Sequence, residues 1–335
     1  MLPLEKILCP LCGERTFTGL FLQRDLALGV PGQLAIVRCD SCGLLYQNPR
    51  VRVDQLSLLY PTGYAAHKRE PHLTRTLRNL GPSVQWVLTR YLGYPNLEIS
   101  GAITVKIFGI LNRRRILKAF PPWVGDGRLL DIGCASGKYL RQMGAVGWRL
   151  AGIEVDADAA VKALTVTPNI FVGDPANAPF LPGSFDLITA FHVIEHLPDP
   201  LGALRNMLTW LAPAGLIIIE VPNASGVGAK LFGRYWAGFD VPRHLVHFTP
   251  ETMNAMVEKA GGRIEQMHHR TKPRYIIRSL KYYLADRSGT LPLFGRAIMH
   301  RKLSSGLMKI ALEIIMPLAK KLRRGDAVRY FIRAA

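Results

Sequence analysis

Apolar residues in the middle of the chain come in short continuous runs that alternate with segments of helical spacing. Gly, Pro, Asp or Asn bound the runs, and the segments between them place apolar residues three or four positions apart. The predicted strands are RLLDIG (128–133), LAGIEV (150–155), NIFVGD (169–174), SFDLITAFHV (184–193) and GLIIIEVPN (215–223). Mainly apolar strands that alternate with helices predict an α/β fold with a doubly wound parallel sheet.

The segments that flank this region are predicted to be helical, apolar and strongly basic. Of the formal net charge of +19, residues 64–120 contribute +8 and residues 270–335 contribute +13. Charge segregated in this way indicates contact with a polyanion, either an anionic membrane surface or a nucleic acid; a solubilising basic face is the alternative. Charged residues interrupt the most apolar windows, 79–112 and 303–319, so no transmembrane helix is expected. Because no signal peptide is evident either, we expect a cytoplasmic protein.

Residues 303–322 combine an apolar stripe with basic positions. The stripe has helical spacing and consists of Leu303, Leu307, Ile310, Ile314, Leu318 and Leu322. Lysines lie beside it, and this pattern is typical of a helix in the headgroup region of an anionic membrane, which would make the protein peripheral. A helical lid packed on the sheet would show the same pattern. The chain closes with DAVRYFIRA (326–334), which is strand-like.

Four of the five cysteines form two C-x-x-C pairs. Cys9 and Cys12 lie in CPLCG, Cys39 and Cys42 lie in CDSCG, and 26 residues separate the pairs. Two such knuckles supply four thiolates, which suit a closed tetrahedral Zn²⁺ site, and a reducing cytoplasm disfavours disulfides. With four protein ligands no coordination position stays open, so the zinc is expected to be structural.

The patterns together predict three parts of the chain. A zinc ribbon occupies residues 1–55, and a basic helical connector follows over residues 56–120. The α/β domain extends over residues 121–335 and carries a basic helical insertion at about 270–326.

A glycine-bearing loop, LLDIGCASGKYL, follows the first predicted strand of the α/β domain. Ala135 and Lys138 fill positions where a dinucleotide-binding fingerprint has glycine, and only three residues separate Gly133 from Gly137, where a P-loop needs four. The loop therefore lets a ligand approach the backbone without a phosphate nest. Glu154 ends the next strand, 21 residues beyond Gly133, and can accept hydrogen bonds from two ribose hydroxyls. These features suit an adenosine ligand with a short zwitterionic tail.

The motifs, taken together, resemble those of class I S-adenosylmethionine-dependent methyltransferases. LLDIGCASGKYL, GIEVD, VGDPANAPF, FDLITAFHVIEHLPDP and LAPAGLIIIEVPN follow the family's order and spacing over about residues 125–268. The segment WAGFDVPRHLVHFTPETM also resembles a branch that acts on small-molecule or lipid-like acceptors and often carries a zinc ribbon in front. The family's Rossmann-like sheet ends in an antiparallel strand, so the resemblance implies that residues 326–334 return to the sheet.

The resemblance implies roles for residues around the methionine and ribose of S-adenosylmethionine. Asp131 would orient the methionine amino group through the loop, and Gly133 and Gly137 would let that part of the cofactor approach. Glu154 would hold the ribose.

Further roles follow for the adenine and the sulfonium. Asp174 would bond the adenine amine, and Ala176 would line the ring. Phe191 and His192 would form the wall beside the sulfonium.

Histidines cluster by sequence near the predicted active face. Methyl transfer to a hydroxyl needs a base that accepts its proton, and histidine is suited to this near neutral pH. His244 is the first candidate for the catalytic base and His196 is the second; hydrogen bonding to loop backbone is the structural alternative for each. Trp236, Asp240 and Arg243 are further candidate acceptor contacts, in a loop that precedes a helix predicted to be capped at residue 249.

The stretch HVIEH allows another interpretation. His192, Glu195 and His196 match H-x-x-E-H, the inverted zinc-protease signature. That signature needs both histidines one turn apart on a helix. The predicted strand end at His192 and the following Pro198 and Pro200 argue against it.

These observations favour a methyltransferase that uses S-adenosylmethionine and structural zinc. The expected acceptor is a small hydroxylated molecule, free or lipid-linked, and O-methylation is the expected reaction. An RNA-modifying enzyme, with ribbon and basic segments binding phosphates, is the alternative. The basic segments lack the interleaved exposed aromatic residues of a base-stacking platform, which argues against RNA. The intact glycine loop argues against a binding module without catalysis.

Overall fold

The N-terminal part of the chain folds around two hairpin-like knuckles. A computed structural model describes residues 2–60, 81–95, 97, 101–286 and 324–335. Strand β1 (Leu4–Glu5) pairs with β5 (Arg50–Val51), while β2 (Phe17–Arg24), β3 (Gln33–Cys39) and β4 (Leu45–Gln47) form an antiparallel sheet. A 3-10 helix over Val53–Leu59 follows. Strands β3 and β4 therefore lie on either side of the second cysteine pair.

The connector contains two packed helices, α1 (Pro82–Leu92) and α2 (Ile103–Ala119). Helix α1 ends at Gly93 in the left-handed conformation (φ 72°), a common way for a helix to stop. The predicted amphipathic stripe over 303–322 lies outside the described residues.

A seven-stranded sheet forms the centre of the α/β domain. Its strands are β6 (Arg128–Ile132), β7 (Arg149–Glu154), β8 (Ile170–Val172), β9 (Phe185–Phe191), β10 (Leu211–Pro222), β12 (Gly262–Arg270) and β13 (Ala327–Ala334). Their spatial order is β12-β13-β10-β9-β6-β7-β8, and β13 is antiparallel to both of its neighbours. The doubly wound α/β sheet and the return of the C-terminal segment as an antiparallel strand are thus confirmed.

Helices connect the strands and cover the sheet. They are α3 (Lys138–Gly144), α4 (Ala157–Leu164), α5 (Pro200–Trp210), α6 (Val227–Phe232), α7 (Pro250–Ala260) and α8 (Pro273–Asp286). Side chains cap three of them: Asp156 accepts from an amide of α4, Asp199 from one of α5, and Thr249 from one of α7. The predicted cap at Thr249, with Pro250 in the first helical position, is confirmed.

A short strand that the sequence pattern did not predict joins the ribbon to the α/β domain. Strand β11 (Val246–His247) pairs with β4 and extends the ribbon sheet to the order β11-β4-β3-β2. Apolar side chains also cross this boundary, because Val37 and Tyr46 of the ribbon share a buried cluster with Leu245 and Phe248. The boundaries at residues 55 and 120 remain predictions, but the first and third parts are continuous in structure.

Candidate functional site

The glycine loop lies at the carboxyl end of β6, and neither of its two glycines has room for a side chain. Both are left-handed, with φ of 70° at Gly133 and 73° at Gly137. Gly133 is exposed, and a Cβ on it would lie 2.5 Å from Cγ2 of Val193. A Cβ on Gly137 would lie 2.9 Å from the Cα of Ala163, so close packing of the loop on α4 explains this glycine. The predicted roles of Gly133 and Gly137 in ligand approach stay predictions.

Glu154 connects the end of β7 to the glycine loop. Its Oε2 accepts a hydrogen bond from the amide of Ala135 (2.7 Å), and its Oε1 accepts one from the amide of Asp156 (2.9 Å). A carboxylate offers about four lone-pair sites, so both oxygens keep capacity for ribose hydroxyls. Ala135 has φ 47°, unusual without glycine, and the bond to Glu154 helps to hold it. Glu154 and the Ala135 backbone that it holds fit an adenosine-type ligand.

Asp131 is a buried acid at the end of β6. The hydroxyl of Thr189 donates to its Oδ1 at 2.6 Å. Burial raises the pKa of Asp131 to about 7; the Thr189 bond opposes this rise, and the charge of Glu154 adds to it. A cationic amino group beside Asp131 would reverse the shift. The position therefore fits the methionine ammonium of S-adenosylmethionine.

The predicted adenine contacts lie beyond β8. Asp174 caps the 3-10 helix Pro175–Asn177, and its Oδ1 accepts from the amide of Ala176 at 2.7 Å. Ala176 is exposed, so its surface is accessible to a ring. Both positions stay predicted contacts.

Phe191 ends β9 next to this edge, and His192 follows it. The guanidinium of Arg329 lies 4.8 Å from the centroid of the Phe191 ring. His192 has φ 59°, and its ring lies between two acids, with Nδ1 3.3 Å from Glu195 Oε1 and Nε2 3.5 Å from Glu220 Oε1. Burial opposes a charge on His192, but the bonds to the two carboxylates outweigh it and raise its pKa.

The HVIEH segment does not form the helix that a zinc-protease signature needs. His192 lies in a left-handed turn, and only a 3-10 helix over Ile194–His196 follows. The side chains of His192 and His196 accordingly have different partners, Glu195 and the backbone of Arg243, respectively.

His196 and His244 lie edge to face, with ring centroids 4.5 Å apart. Nδ1 of His196 is 3.1 Å from the carbonyl of Arg243, and Nδ1 of His244 is 2.8 Å from the carbonyl of Gly238. A carbonyl can only accept, so each Nδ1 donates and each Nε2 carries the lone pair. Burial and the neighbouring His244 lower the pKa of His196 to about 4. Both rings therefore hydrogen-bond the loop backbone, which is the structural alternative expected from the sequence. These hydrogen bonds also fix the orientation of each ring.

Glu195 joins these two histidines in a cluster. One ligand atom from each of Glu195, His196 and His244 lies within 4.8 Å of the others, which is the size of a metal site. Oε2 of Glu195 is buried without a hydrogen-bond partner among the described residues.

Two of the candidate acceptor contacts have structural roles instead. Trp236 is buried in a cluster with Phe239 and Val241. Arg243 is fully buried and bonds both Asp25 and Asp240. Because neither Trp236 nor Arg243 reaches a surface, the prediction that they contact the acceptor is wrong.

Two ribbon residues and Tyr60 of the connector, which the sequence did not single out, contact the His244 loop (residues 236–245) or the adjacent His196. Asp25 bonds Arg243, the Nε2 of Gln47 donates to the carbonyls of Pro242 and His244, and the hydroxyl of Tyr60 is 3.1 Å from Nδ1 of His196. These contacts join residues separated by 136 to 218 positions, and no local pattern signals them.

The four ribbon cysteines converge. The Sγ atoms of Cys9 and Cys42 are 3.5 Å apart, those of Cys12 and Cys39 are 3.4 Å apart, and all four lie within 4.8 Å of one another. Zn–S bonds of about 2.3 Å in a tetrahedron need a similar spacing. The thiols are free rather than disulfide-bonded. Burial raises the pKa of Cys9 to about 11, and a bound cation would favour its thiolate form. The cluster fits a zinc ion.

Comparisons with known proteins agree with this geometry. Residues 109–267 match the family described as methyltransferase domain. The ubiquinone biosynthesis O-methyltransferase of Albidiferax ferrireducens is 33% identical over 114 residues, which cover 30% of this chain and 44% of the relative. That of Burkholderia ambifaria is 27% identical over 156 residues, covering 40% and 67%.

The chain thus spans about half the length of the first curated relatives it matches. Among solved structures, a methyltransferase from Mesorhizobium loti has a TM-score of 0.43 and 16% identity, covering 68% of this chain and 99% of that one. The matched residues contain the glycine loop, Glu154, Asp174 and the HVIEH turn. These comparisons show that residues 109–267 of this chain resemble a methyltransferase domain.

Proposed function

We propose that the protein transfers a methyl group from S-adenosylmethionine to the hydroxyl of a small acceptor, free or lipid-linked. The observation that carries the proposal is that the candidate cofactor residues and the histidine pair follow strands of one sheet, in which β6 lies parallel to β9. Asp131 and Glu154 fit the cofactor, and His196 and His244 lie beyond β9 with Nε2 prepared to accept a proton. The relatives' name, ubiquinone biosynthesis O-methyltransferase, supports a hydroxyl acceptor and a lipid-linked form.

The chain's own residues supply binding and proton transfer. Asp131, Glu154 and Asp174 would hold S-adenosylmethionine, with Phe191 as a wall; when bound, the cofactor supplies an electrophilic methyl group. Such a displacement depends mainly on positioning. His244 keeps Nδ1 on the carbonyl of Gly238, and its Nε2 accepts the hydroxyl proton.

His244 remains the preferred base over His196. A base works best when its pKa is near the operating pH, and the pKa of His196, lowered to about 4, is far below it. Asp240 Oδ2 lies 3.9 Å from Nε2 of His244 and would stabilise the imidazolium that forms.

We also propose that Cys9, Cys12, Cys39 and Cys42 bind one structural zinc ion, on the sulfur spacing described above. Thiolate ligation would link metal binding to folding of the ribbon.

A different observation supports contact with an anionic membrane. The first half of α2 leaves five large apolar residues 49% to 74% exposed: Ile103, Ile107, Phe108, Ile110 and Leu111. Three arginines, 113–115, follow directly. Exposed apolar and basic residues on one helix suit a membrane interface. In the described ranges, no helix combines the length and apolar character needed to span a bilayer.

Two experiments test these proposals. Purified protein is incubated with methyl-labelled S-adenosylmethionine and, separately, simple phenols, lipid extract or RNA. Label in a methyl ether supports the proposal, whereas label only in RNA contradicts it. For the membrane, sedimentation with anionic liposomes should weaken in Phe108→Asp/Leu111→Asp and persist in Val161→Asp, whose side chain is 65% exposed on α4. Equal binding by all three proteins would contradict membrane contact.

A further inference from the structure

Glu220 is the centre of a cation-rich cluster at the same edge of the sheet. It lies near the end of β10, in register with Phe191 of β9, and its side chain is 3% exposed. Lys272 Nζ is 2.5 Å from its Oε1, while Arg329 Nε and Arg270 Nε are 2.9 Å and 3.3 Å from its Oε2. Three cations therefore share a single carboxylate.

The charged groups around this cluster do not neutralise its excess positive charge. His192 lies between Glu220 and Glu195, and its Nε2 is 3.4 Å from Lys272 Nζ. Its position between two acids favours its own positive charge, which offsets that of Glu195. Asp326 accepts from the backbone amide of Lys272 at 3.5 Å, so its carboxylate faces main chain. Within the described ranges, the cluster keeps an excess of positive charge.

The cations are accessible and incompletely bonded. Their side chains are 28% (Arg270), 21% (Lys272) and 17% (Arg329) exposed. The terminal nitrogens of Arg270 meet no acceptor among the residues that the structure describes. Burial and the nearby Arg329 lower the pKa of Arg270, and burial also lowers that of Lys272, although Glu220 opposes it. An added anion would relieve the repulsion among these groups.

We propose that Arg270, Lys272 and Arg329 form a subsite for an oxyanion, a phosphate or carboxylate group, on the methyl acceptor. The inference rests on the proposed function, because it places the acceptor beside His192 and Phe191, the predicted wall near the sulfonium. Guanidinium groups present paired donors to oxyanions, and the ammonium adds a point charge. Acceptors with an anionic group should accordingly bind better than neutral analogues.

Four probes test the subsite on the full-length protein: inorganic phosphate, phenyl phosphate, benzoate and phenol. Each is titrated by calorimetry with and without S-adenosylhomocysteine. We expect the three anions to bind, with affinity that falls as salt rises, and phenol to bind far more weakly. The tighter of phenyl phosphate and benzoate identifies which oxyanion the subsite prefers.

Variants separate the subsite from general effects on folding. Arg270→Gln or Lys272→Gln should weaken phosphate binding at least about tenfold, as loss of a charged hydrogen bond does. Arg263→Gln, at the other end of β12 with a side chain 63% exposed, is the matched control and should bind phosphate unchanged. Glu220→Gln removes the shared acid, so phosphate should bind more tightly. A merely destabilised protein would not show that gain.

Four results decide the matter. Equal binding of phenol and the anions, or phosphate binding unchanged in both Arg270→Gln and Lys272→Gln, would overturn the subsite. Phosphate that is displaced by S-adenosylhomocysteine would also overturn it, because the cations would then serve the cofactor's carboxylate. If phosphate binds as expected but S-adenosylhomocysteine does not bind, the subsite is supported and the proposed function fails.

Discussion

Asp25 of the ribbon and Arg243 of the α/β domain form a fully buried, bidentate ion pair. Arg243 Nη1 is 2.7 Å from Asp25 Oδ2, and Nη2 is 2.8 Å from Oδ1, with neither side chain exposed to solvent. Arg243 is adjacent to His244, and its carbonyl lies 3.1 Å from Nδ1 of His196. The pair therefore ties the ribbon to the loop that carries His244 and contacts His196.

Breaking this pair should destabilise the protein and reduce turnover. Asp25→Asn leaves the Arg243 charge buried with Asp240 alone, and loss of one partner of a buried pair typically costs about 3–5 kcal/mol. The free energy of unfolding, from denaturant titration, should fall by that order. Turnover should fall more than affinity for S-adenosylmethionine, because the glycine loop does not contact Asp25.

Asp54→Asn is the matched control for Asp25→Asn. Asp54 pairs with Arg52 on the surface, where both side chains are 55% exposed, so little change is expected. Equal effects of the two substitutions would show that the buried pair does not couple the ribbon to the site.

Metal analysis should find one zinc ion per chain, and Cys39→Ser should release it. The ribbon sheet includes β11, so release should also disturb the His244 loop and lower turnover, while cofactor binding persists. Cys134→Ser, at a buried cysteine outside the cluster, should keep its zinc. Protein purified without chelator and free of zinc would refute this assignment.

Affinity for S-adenosylmethionine should weaken as pH falls below about 7. The pKa of Asp131 is raised to about 7, so acid protonates it and removes the acceptor for the methionine ammonium. Binding near pH 7 should release a proton, measurable by calorimetry in buffers of different ionisation enthalpy. In the absence of ligand, the raised pKa means that the contribution of Asp131 to folding stability declines as pH rises from about 4 to about 7.

Asp131→Asn is the control for this pH dependence. The variant should bind S-adenosylmethionine weakly, with no change in affinity between pH 6 and pH 8. A wild-type affinity that is also constant over this range would contradict a role for the Asp131 carboxylate.

His244→Gln should lower kcat by about 10²–10⁴-fold with little change in cofactor affinity, since a positioned base contributes that much. His196→Gln should have a smaller effect on kcat, because the lowered pKa of His196 makes it a weaker base. The reverse order would identify His196 as the base, and two unchanged variants would show that the acceptor needs none.

The features that the sequence predicts depend on residues close together along the chain, whereas the features that it does not predict depend on residues far apart. The strands and Glu154 follow from local apolar runs and from a short motif, and the cysteine cluster follows from spacing alone. Strand β11 has only two residues and gives no periodicity, so it could not be predicted. The burial of Trp236 and Arg243 depends on a ribbon more than 200 positions away, as the Asp25–Arg243 pair shows. From the sequence alone, Trp236 and Arg243 therefore looked like residues that contact the acceptor.

Calorimetric titration with S-adenosylmethionine tests the central claim most directly. The wild-type protein should bind one equivalent per chain, and Glu154→Ala should abolish or sharply weaken binding by removing the ribose acceptor and the bond to Ala135. Asp158→Ala, at an exposed position in the first turn of α4, should bind like wild type. No binding by the wild-type protein, or equal affinity in all three proteins, would contradict the assignment of this sheet edge to the cofactor.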